Sequence, residues 1–222
     1  MNTLERTTSP FHAVICLNGN IPGERVLSEL AQYPLIAADG ATEKLHAMGV
    51  VAEYVVGDFD SIPQWYLKEY ASVCEFVHDP SQDTNDFEKA LVFAQSMLWK
   101  RILVIGIHGG DLEHTLNNWS VFMRFGTQMQ LVALDQDRYA VPLYANTRYA
   151  AEPEELLSLI PQPSAVVTTK GLTWPLNAEE LSLGRREGAR NRANAQEVEI
   201  EIHSGSVLFF CNAELPMAPE FR

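Results

Sequence analysis

V55-V-G-D-F-D-S-I62 joins a short apolar run to two closely spaced carboxylates. If the run is a buried strand, alternation puts Asp58 and Asp60 on one side, where the chain leaves the sheet. Like charges beside a glycine repel unless a cation binds between them. Mg²⁺ is usually bound by a few carboxylates together with substrate phosphates. The stretch indicates magnesium-dependent phosphoryl or pyrophosphoryl transfer. An ordinary strand-to-helix turn with a helix cap explains it equally well.

Two further acidic segments, A38-D-G40 and D83-T-N-D86, lie near this stretch in the chain. The first follows an apolar run, and the second leads into residues 86–99, which have helical spacing of apolar residues. Three separate segments therefore supply acids at predicted strand or helix ends, which an isolated turn does not explain.

From residue 12 to about 136, strand-like and helix-like segments alternate along the chain. This alternation predicts an α/β domain with a mostly parallel sheet and helices on both of its faces. Ligands of such sheets bind beyond the carboxyl ends of the strands. Asp39, Asp58 and the H108-G-G110 turn are all predicted to lie there.

After residue 137 the segments become short and strand-like, which predicts an all-β antiparallel sandwich. Residues 197–202 alternate strictly, H203-S-G-S206 is typical of a hairpin turn, and A178-E-E-L181 predicts a short helix. We therefore expect a flexible leader over residues 1–11, an α/β domain over 12–137, and a β-sandwich domain over 138–222.

The charge balance limits the partners of this 222-residue chain, whose formal net charge is −13. Nucleic acid and anionic membranes both require basic surface, so neither is an expected partner. An anionic substrate would need a cation to accompany it. Three cysteines lie far apart and outside any metal-binding spacing, which indicates reduced thiols in a cytoplasmic protein.

Five blocks, in this order and spacing, resemble the thiamine pyrophosphokinase family over residues 14–210. They are A38-D-G-A41, V56-G-D-F-D-S-I62, Q82-D-x-x-D-F-E-K-A-L91, G106-x-H-G-G-x-x-x-H-x-L-N117 and K170-G-L-x-W-P-L176. The resemblance implies that residues 12–137 are the nucleotide- and metal-binding catalytic domain and that residues 138–222 are the thiamine-binding and dimerisation domain. It also implies a homodimer with its site at the subunit interface. It implies an enzyme that uses Mg²⁺ and transfers pyrophosphate from ATP to the hydroxyethyl group of thiamine, releasing AMP.

The resemblance also implies roles for individual residues. The metal ligands would be Asp39, Asp58, Asp60 and Asp86, of which Asp58, Asp60 and Asp86 would be catalytic. The nucleotide would be bound by Asn18, Gly19, Asp39, Gly40, Gly106, Gly109, Gly110, His114 and Asn117. Thiamine would be bound by Gln82, Asp83, Asp86, Trp174 and Asn191.

The chain departs from the family pattern at three places. Asn85 replaces a threonine and, with Glu88 three residues later, is predicted to cap the following helix. Asp111 replaces a cation that would contact the polyphosphate, which reverses the local charge. G188-A-R-N191 lacks the usual hydroxyl groups and lies in an arginine-rich loop.

These departures keep two other functions open. One is a related pyrophosphokinase that acts on another alcohol, such as a hydroxymethylpterin. The other is a thiamine- or nucleotide-binding homologue without turnover. Retained carboxylates argue against the second, and Asp111 argues for it.

Overall fold

The computed structural model describes residues 1–222, which form five helices and fourteen strands. The helices are α1 (Glu24–Leu30), α2 (Ala41–Ala47), α3 (Gln64–Glu69), α4 (Asp86–Ser96) and α5 (Leu112–Phe125). The strands are β1 (Asn2–Thr7), β2 (Ala13–Cys16), β3 (Leu35–Ala38), β4 (Tyr54–Gly57), β5 (Glu75–His78), β6 (Arg101–Ile105), β7 (Gln130–Asp135), β8 (Arg138–Leu143), β9 (Thr147–Ala150), β10 (Leu156–Lys170), β11 (Glu179–Ser182), β12 (Gly188–Arg192), β13 (Glu197–Asn212) and β14 (Ala218–Phe221). None of the helices has the length and apolar character that crossing a membrane requires.

The chain divides into two compact units. The first, here called the α/β unit, comprises residues 10–136. The second, here called the β unit, combines residues 1–9 with residues 137–222. The expectation of a flexible leader over residues 1–11 is wrong for β1, which pairs with β14 and β9. Backbone pairing with strands distant in sequence orders this polar segment.

The α/β unit contains six parallel strands in the order β7-β6-β2-β3-β4-β5. Every residue of β2 and β6 is buried, as expected for central strands of a parallel sheet that is covered on both faces. The strand order reverses between β2 and β6. In open parallel sheets this reversal opens a crevice at the carboxyl ends of the strands, where ligands bind.

The β unit is built on two long strands, β10 and β13, which pair antiparallel to each other. Strand β13 also pairs with β8 and β9, while β11 and β12 pair with β10. Buried and accessible residues alternate along most of β10, so one face of this strand packs against the core.

Two local predictions in the β unit are wrong. Residues 203–206 do not form a hairpin turn, because β13 continues through them and its register with β10 shifts nearby. Gly205 has φ +75°, and a Cβ there would lie 2.0 Å from the carbonyl oxygen of Ser164. The glycine thus permits a local irregularity within a continuing strand. The short helix predicted at 178–181 is replaced by β11, whose pairing with β10 overrides local helix preference.

Candidate active site

Three carboxylates meet at the ends of two neighbouring strands of the α/β unit. Asp39 follows β3, while Asp58 and Asp60 follow β4, and their ligand atoms all lie within 4.8 Å of one another. Asp86, the first residue of α4, adjoins this group. A Cβ on Gly57 would lie 3.2 Å from Asp86 Oδ1 and 2.6 Å from Asp39 Cβ. The lack of a side chain at Gly57 therefore lets the acidic residues approach one another.

The turn between Asp58 and Asp60, the two carboxylates that follow β4, has an unusual backbone. Phe59 has φ +67°, a left-handed conformation that residues with a Cβ seldom adopt. Its backbone N–H donates to Asp39 Oδ2 at 3.0 Å. Its ring packs edge-on against Phe76, with ring centroids 5.9 Å apart. Such strain is found where surrounding contacts fix a functional geometry, and here the Phe59 N–H links the turn after β4 to Asp39.

The pKa values within the cluster move in opposite directions. Burial, together with the nearby carboxylates of Asp86 and Asp58, raises the pKa of Asp39 to about 7. Hydrogen bonds from the Gln82 amide, at 2.8 Å, and from the Asp60 N–H lower the pKa of Asp58 to about 2. Asp39 Oδ1 is buried without a hydrogen-bond partner. The cluster therefore combines converging carboxylate oxygens with an unpaired buried oxygen, as expected of a binding site for a hard divalent cation.

Lys89 is a functional candidate that the sequence analysis missed. Only 2% of its side chain is exposed, and its Nζ lies 3.4 Å from Asp86 Oδ1 and 3.8 Å from Asp58 Oδ2. Burial raises the pKa of Asp86, and the Lys89 ammonium opposes that effect. The available signal was the spacing, since a lysine three residues after a helix-start acid lies beside it.

A cavity of about 410 Å³ lies beside the cluster, at the carboxyl ends of β2 and β6. Several segments contribute to its wall, and the lining residues are Leu17, Asn18, Gly19, Ala38, Gly40, Lys44, Ser61, Asn85, Asp86, Phe87, Gly109, Gly110, Asp111, His114 and Asn118. The structure therefore brings together Asn18, Gly19, Gly40, Gly109, Gly110 and His114 from the expected nucleotide-binding set. Gly106 is not among the lining residues.

Backbone-to-backbone contacts between the loops after β2 and β6 explain two of these glycines. A Cβ on Gly19 would lie 2.2 Å from the carbonyl oxygen of His108. Gly106 has φ +69°, and a Cβ there would lie 2.2 Å from the carbonyl oxygen of Leu17. Larger residues would separate the two loops. Gly106 therefore shapes the cavity through the packing of these loops.

Helix α5 presents Asn118 to the cavity where the sequence analysis expected Asn117. Asn117 is exposed and does not line the cavity. Asn118 accepts a hydrogen bond from Asn85 Nδ2 at 3.2 Å and donates to the Ile107 carbonyl at 3.4 Å. The reason is helical geometry. Residues four positions apart lie on the same face of a helix, and here His114 and Asn118 both line the cavity, whereas Asn117 does not.

Gln82 and Asp83 differ in their surroundings. Gln82 contacts the carboxylate cluster through its hydrogen bond to Asp58. Asp83 is exposed, and it does not belong to the group of acids whose ligand atoms converge.

Trp174 and Asn191, expected to bind thiamine, lie together in the β unit. Trp174 is 61% exposed. The Asn191 side chain accepts from the Trp174 backbone N–H at 3.1 Å and donates to the Trp174 carbonyl at 2.6 Å. Both polar ends of the Asn191 amide are thus bonded to the backbone of Trp174. Asn191 is placed to hold the segment that carries an exposed indole.

Two family models match this chain, and both describe thiamin pyrophosphokinase. The model of the catalytic domain matches residues 28–133, and the model of the vitamin B1 binding domain matches residues 147–207. The chain belongs to the thiamine pyrophosphokinase family. The five sequence blocks and the matched ranges thus identify the same family, as expected from the sequence.

Relatives within the thiamine pyrophosphokinase family match over most of the chain. Thiamine pyrophosphokinase 1 of Arabidopsis thaliana is 27% identical over 231 residues, which cover 90% of this chain and 86% of the relative. The thiamine pyrophosphokinase of Bacillus subtilis is 27% identical over 157 residues, covering 67% and 73% of the two chains.

Solved structures of thiamine pyrophosphokinases share the fold. The Candida albicans protein superposes with a TM-score of 0.77 at 15% identity, over 95% of this chain and 99% of its own. The Bacillus subtilis protein gives a TM-score of 0.73 at 21% identity, over 91% and 100%. The predicted fold class, an α/β domain followed by an antiparallel β-sandwich, is confirmed.

The departures of this thiamine pyrophosphokinase homologue differ in their structural effect. Asn85 caps α4 as predicted, because its Oδ1 accepts from the Glu88 N–H at 2.9 Å. Asp111 is exposed, lines the cavity and makes no side-chain capping bond at the start of α5. The first departure conserves a structural role. The second adds negative charge to the cavity wall.

Proposed function

We propose that this chain is a thiamine pyrophosphokinase, an enzyme that transfers pyrophosphate from ATP to the hydroxyethyl group of thiamine and releases AMP. One observation carries the proposal beyond family membership. Asp39, Asp58 and Asp60 converge at the carboxyl ends of parallel strands, beside a glycine-lined cavity that Asp86 also lines. This is the acidic arrangement that a metal-assisted transfer between phosphates and an alcohol requires.

Asp39, Asp58 and Asp60 would hold Mg²⁺, with Asp86 beside them. The unpartnered buried oxygen of Asp39 and the mutual repulsion among the acids support this assignment. A bound Mg²⁺ would neutralise polyphosphate oxygens and stabilise charge during transfer. The formal net charge of −13 makes such neutralisation necessary for an anionic substrate.

Side chains of the protein would accept the proton of the alcohol and hold the accepting group in place. In the transfer, the thiamine hydroxyl oxygen bonds to the β-phosphorus, and the bond from that phosphorus to the α–β bridging oxygen breaks. AMP leaves with the bridging oxygen. Asp86 would accept the alcohol proton, because it is the acid beside the cluster that lines the cavity and burial raises its pKa above that of an ordinary carboxyl. Lys89 would hold the Asp86 carboxylate in place.

The exposed indole of Trp174 would stack on thiamine in this proposal. A flat aromatic face suits the positively charged thiazolium through a cation–π contact. Asn191 would then act by holding the backbone of Trp174.

The expected homodimer, with its site at the subunit interface, and the cytoplasmic location also remain proposals. Family resemblance supports the dimer, and light scattering of the purified protein tests it. Three free cysteines, all buried, support a reducing compartment.

The function is tested by incubating the protein with ATP, Mg²⁺ and thiamine and following AMP and thiamine pyrophosphate by chromatography. We expect the two products in equal amounts, and none without Mg²⁺ or in Asp58→Asn. The control variant Asp137→Asn removes an exposed carboxylate outside the cluster and retains activity. Absence of product from the folded protein would overturn the proposal, and hydroxymethylpterin would then replace thiamine in the assay.

A further inference from the structure

The cavity beside the carboxylate cluster is lined by a single lysine and no arginine. That lysine is Lys44 of α2, whereas Asp86 and Asp111 add negative charge to the wall. Lys89 lies nearby but forms ion pairs with Asp58 and Asp86. A polyphosphate in this cavity would therefore meet one cation that the protein itself provides.

Lys44 is held at a defined place on the wall. Its Nζ donates to the carbonyl oxygens of Asn18 at 2.6 Å and Gly19 at 2.9 Å. Both carbonyls belong to the loop after β2, at the crevice where the strand order reverses. An ammonium group has three donors, so these two bonds leave one N–H for a ligand.

The positive charge of Lys44 is also not neutralised by a carboxylate. It forms no ion pair in the structure, and its two acceptors are neutral carbonyls. By contrast, Lys89, Arg6 and Arg124 are each paired with a carboxylate. An anchored but unneutralised cation in a cavity is suited to an anionic ligand, because a phosphate oxygen accepts a charge-assisted hydrogen bond.

We propose that Lys44 directly contacts the polyphosphate of ATP and replaces the cation that the family pattern has at position 111. The inference rests on the proposed function. It resolves the charge reversal at Asp111, because the positive charge is supplied from α2 instead of from the start of α5. Lys44 would act on the nucleotide and leave thiamine binding unchanged.

The test measures KM for ATP and for thiamine in two Lys44 variants and one matched control. Lys44→Gln keeps an N–H donor for the loop carbonyls but loses the charge. Lys44→Arg keeps the charge. We expect Lys44→Gln to raise the KM for ATP by about tenfold or more, with KM for thiamine unchanged and Lys44→Arg close to wild type. Lys68→Met removes an exposed lysine of α3 and leaves both constants unchanged.

Returning a cation to position 111 gives a second readout. If Lys44 replaces the missing cation, Asp111→Arg in the Lys44→Gln background recovers most of the lost ATP affinity. Unchanged ATP kinetics in Lys44→Gln would overturn the inference, and so would an equal rise in both KM values. A rescue by Asp111→Arg that lowers the thiamine KM instead would also contradict it.

Failure of the proposed function is recognised separately, by the absence of thiamine pyrophosphate from the wild-type protein. The same variants are then compared by equilibrium binding of ATP with Mg²⁺, using calorimetry. About tenfold weaker binding in Lys44→Gln alone would support the role of Lys44 without any turnover. No binding of ATP to the wild-type protein would overturn both conclusions.

Discussion

The Lys89 ammonium lies 3.4 Å from the Asp86 carboxylate, and only 2% of the lysine side chain reaches solvent. Asp58 is its second partner, at 3.8 Å. Lys89 is thus an internal counter-charge for a cluster whose acids otherwise repel one another.

Replacing Lys89 with methionine is expected to destabilise the protein, because it leaves two carboxylates without their cation. We expect a loss of about 2 to 3 kcal/mol, less than for a fully enclosed pair because Asp86 is partly open to water. Urea unfolding in the presence of a chelator measures the effect, and Mg²⁺ should restore part of it. Lys68→Met is the control, and an equally small change in both variants would contradict the role assigned to Lys89.

The raised pKa of Asp39 predicts that stability of the metal-free protein falls as pH rises from about 4 to about 7. In this window the folded state keeps a proton on Asp39, and the unfolded state has lost it. The effect is on the order of a few kcal/mol. Asp58, whose pKa is lowered to about 2, has the opposite effect: its contribution to stability is lost as the pH falls below about 4.

Asp39→Asn checks this assignment, since the amide does not titrate. Thermal unfolding between pH 4 and pH 8 should show a flatter profile for the variant than for the wild type. Parallel profiles would show that other groups determine the pH dependence.

Asn191→Ala is expected to loosen the Trp174 segment, because it removes two hydrogen bonds to the Trp174 backbone. We predict a rise of about tenfold in the KM for thiamine, corresponding to the net contribution of one or two hydrogen bonds. The KM for ATP should not change. Asn177→Ala, at an exposed neighbour of this segment, is the matched control. A higher KM for ATP alone would be incompatible with the proposed arrangement.

Arg6→Met should destabilise the β unit far more than Arg148→Met. Arg6 pairs with Glu155, and their side chains are 9% and 0% exposed. Losing the partner of such a buried carboxylate costs about 3 to 5 kcal/mol. Arg148 is 49% exposed and lies 3.5 Å from Glu199, and exposed pairs contribute about 0 to 1 kcal/mol. Denaturant unfolding compares the variants, and similar losses would refute the difference.

The parallel sheet and its carboxylates are predictable from sequence because their signals are local. Val55, Val56 and Gly57 form the end of a buried strand, so Asp58 is expected at a strand end. Asn85 and Glu88 predict a helix cap from their spacing alone, and the structure contains that cap.

The errors share a different origin, since they depend on partners distant in the chain. β1 is ordered by pairing with residues near 147 and 220, and β11 is a strand because β10 lies beside it. The role of Lys44 requires knowing which loop it contacts, and the spacing of Lys89 indicates Asp86 on its own helix but not its distant partner Asp58. A surface lysine and a lysine between carboxylates look alike in a one-dimensional pattern.

The pairing of β1 with β14 has a consequence for the order of synthesis. Residues 2–7 are made before any of their partners, at 147–150 and 218–221. The six parallel strands of the α/β unit pair within residues 13–135, so that unit can form its sheet before the partners of β1 have been made.

The two ends of the chain lie close together. Thr3 and Arg222 exchange two backbone hydrogen bonds, so residue 222 can be joined to residue 1 by a short linker. Opening the chain between Gln136 and Asp137 would then place each unit on one continuous stretch.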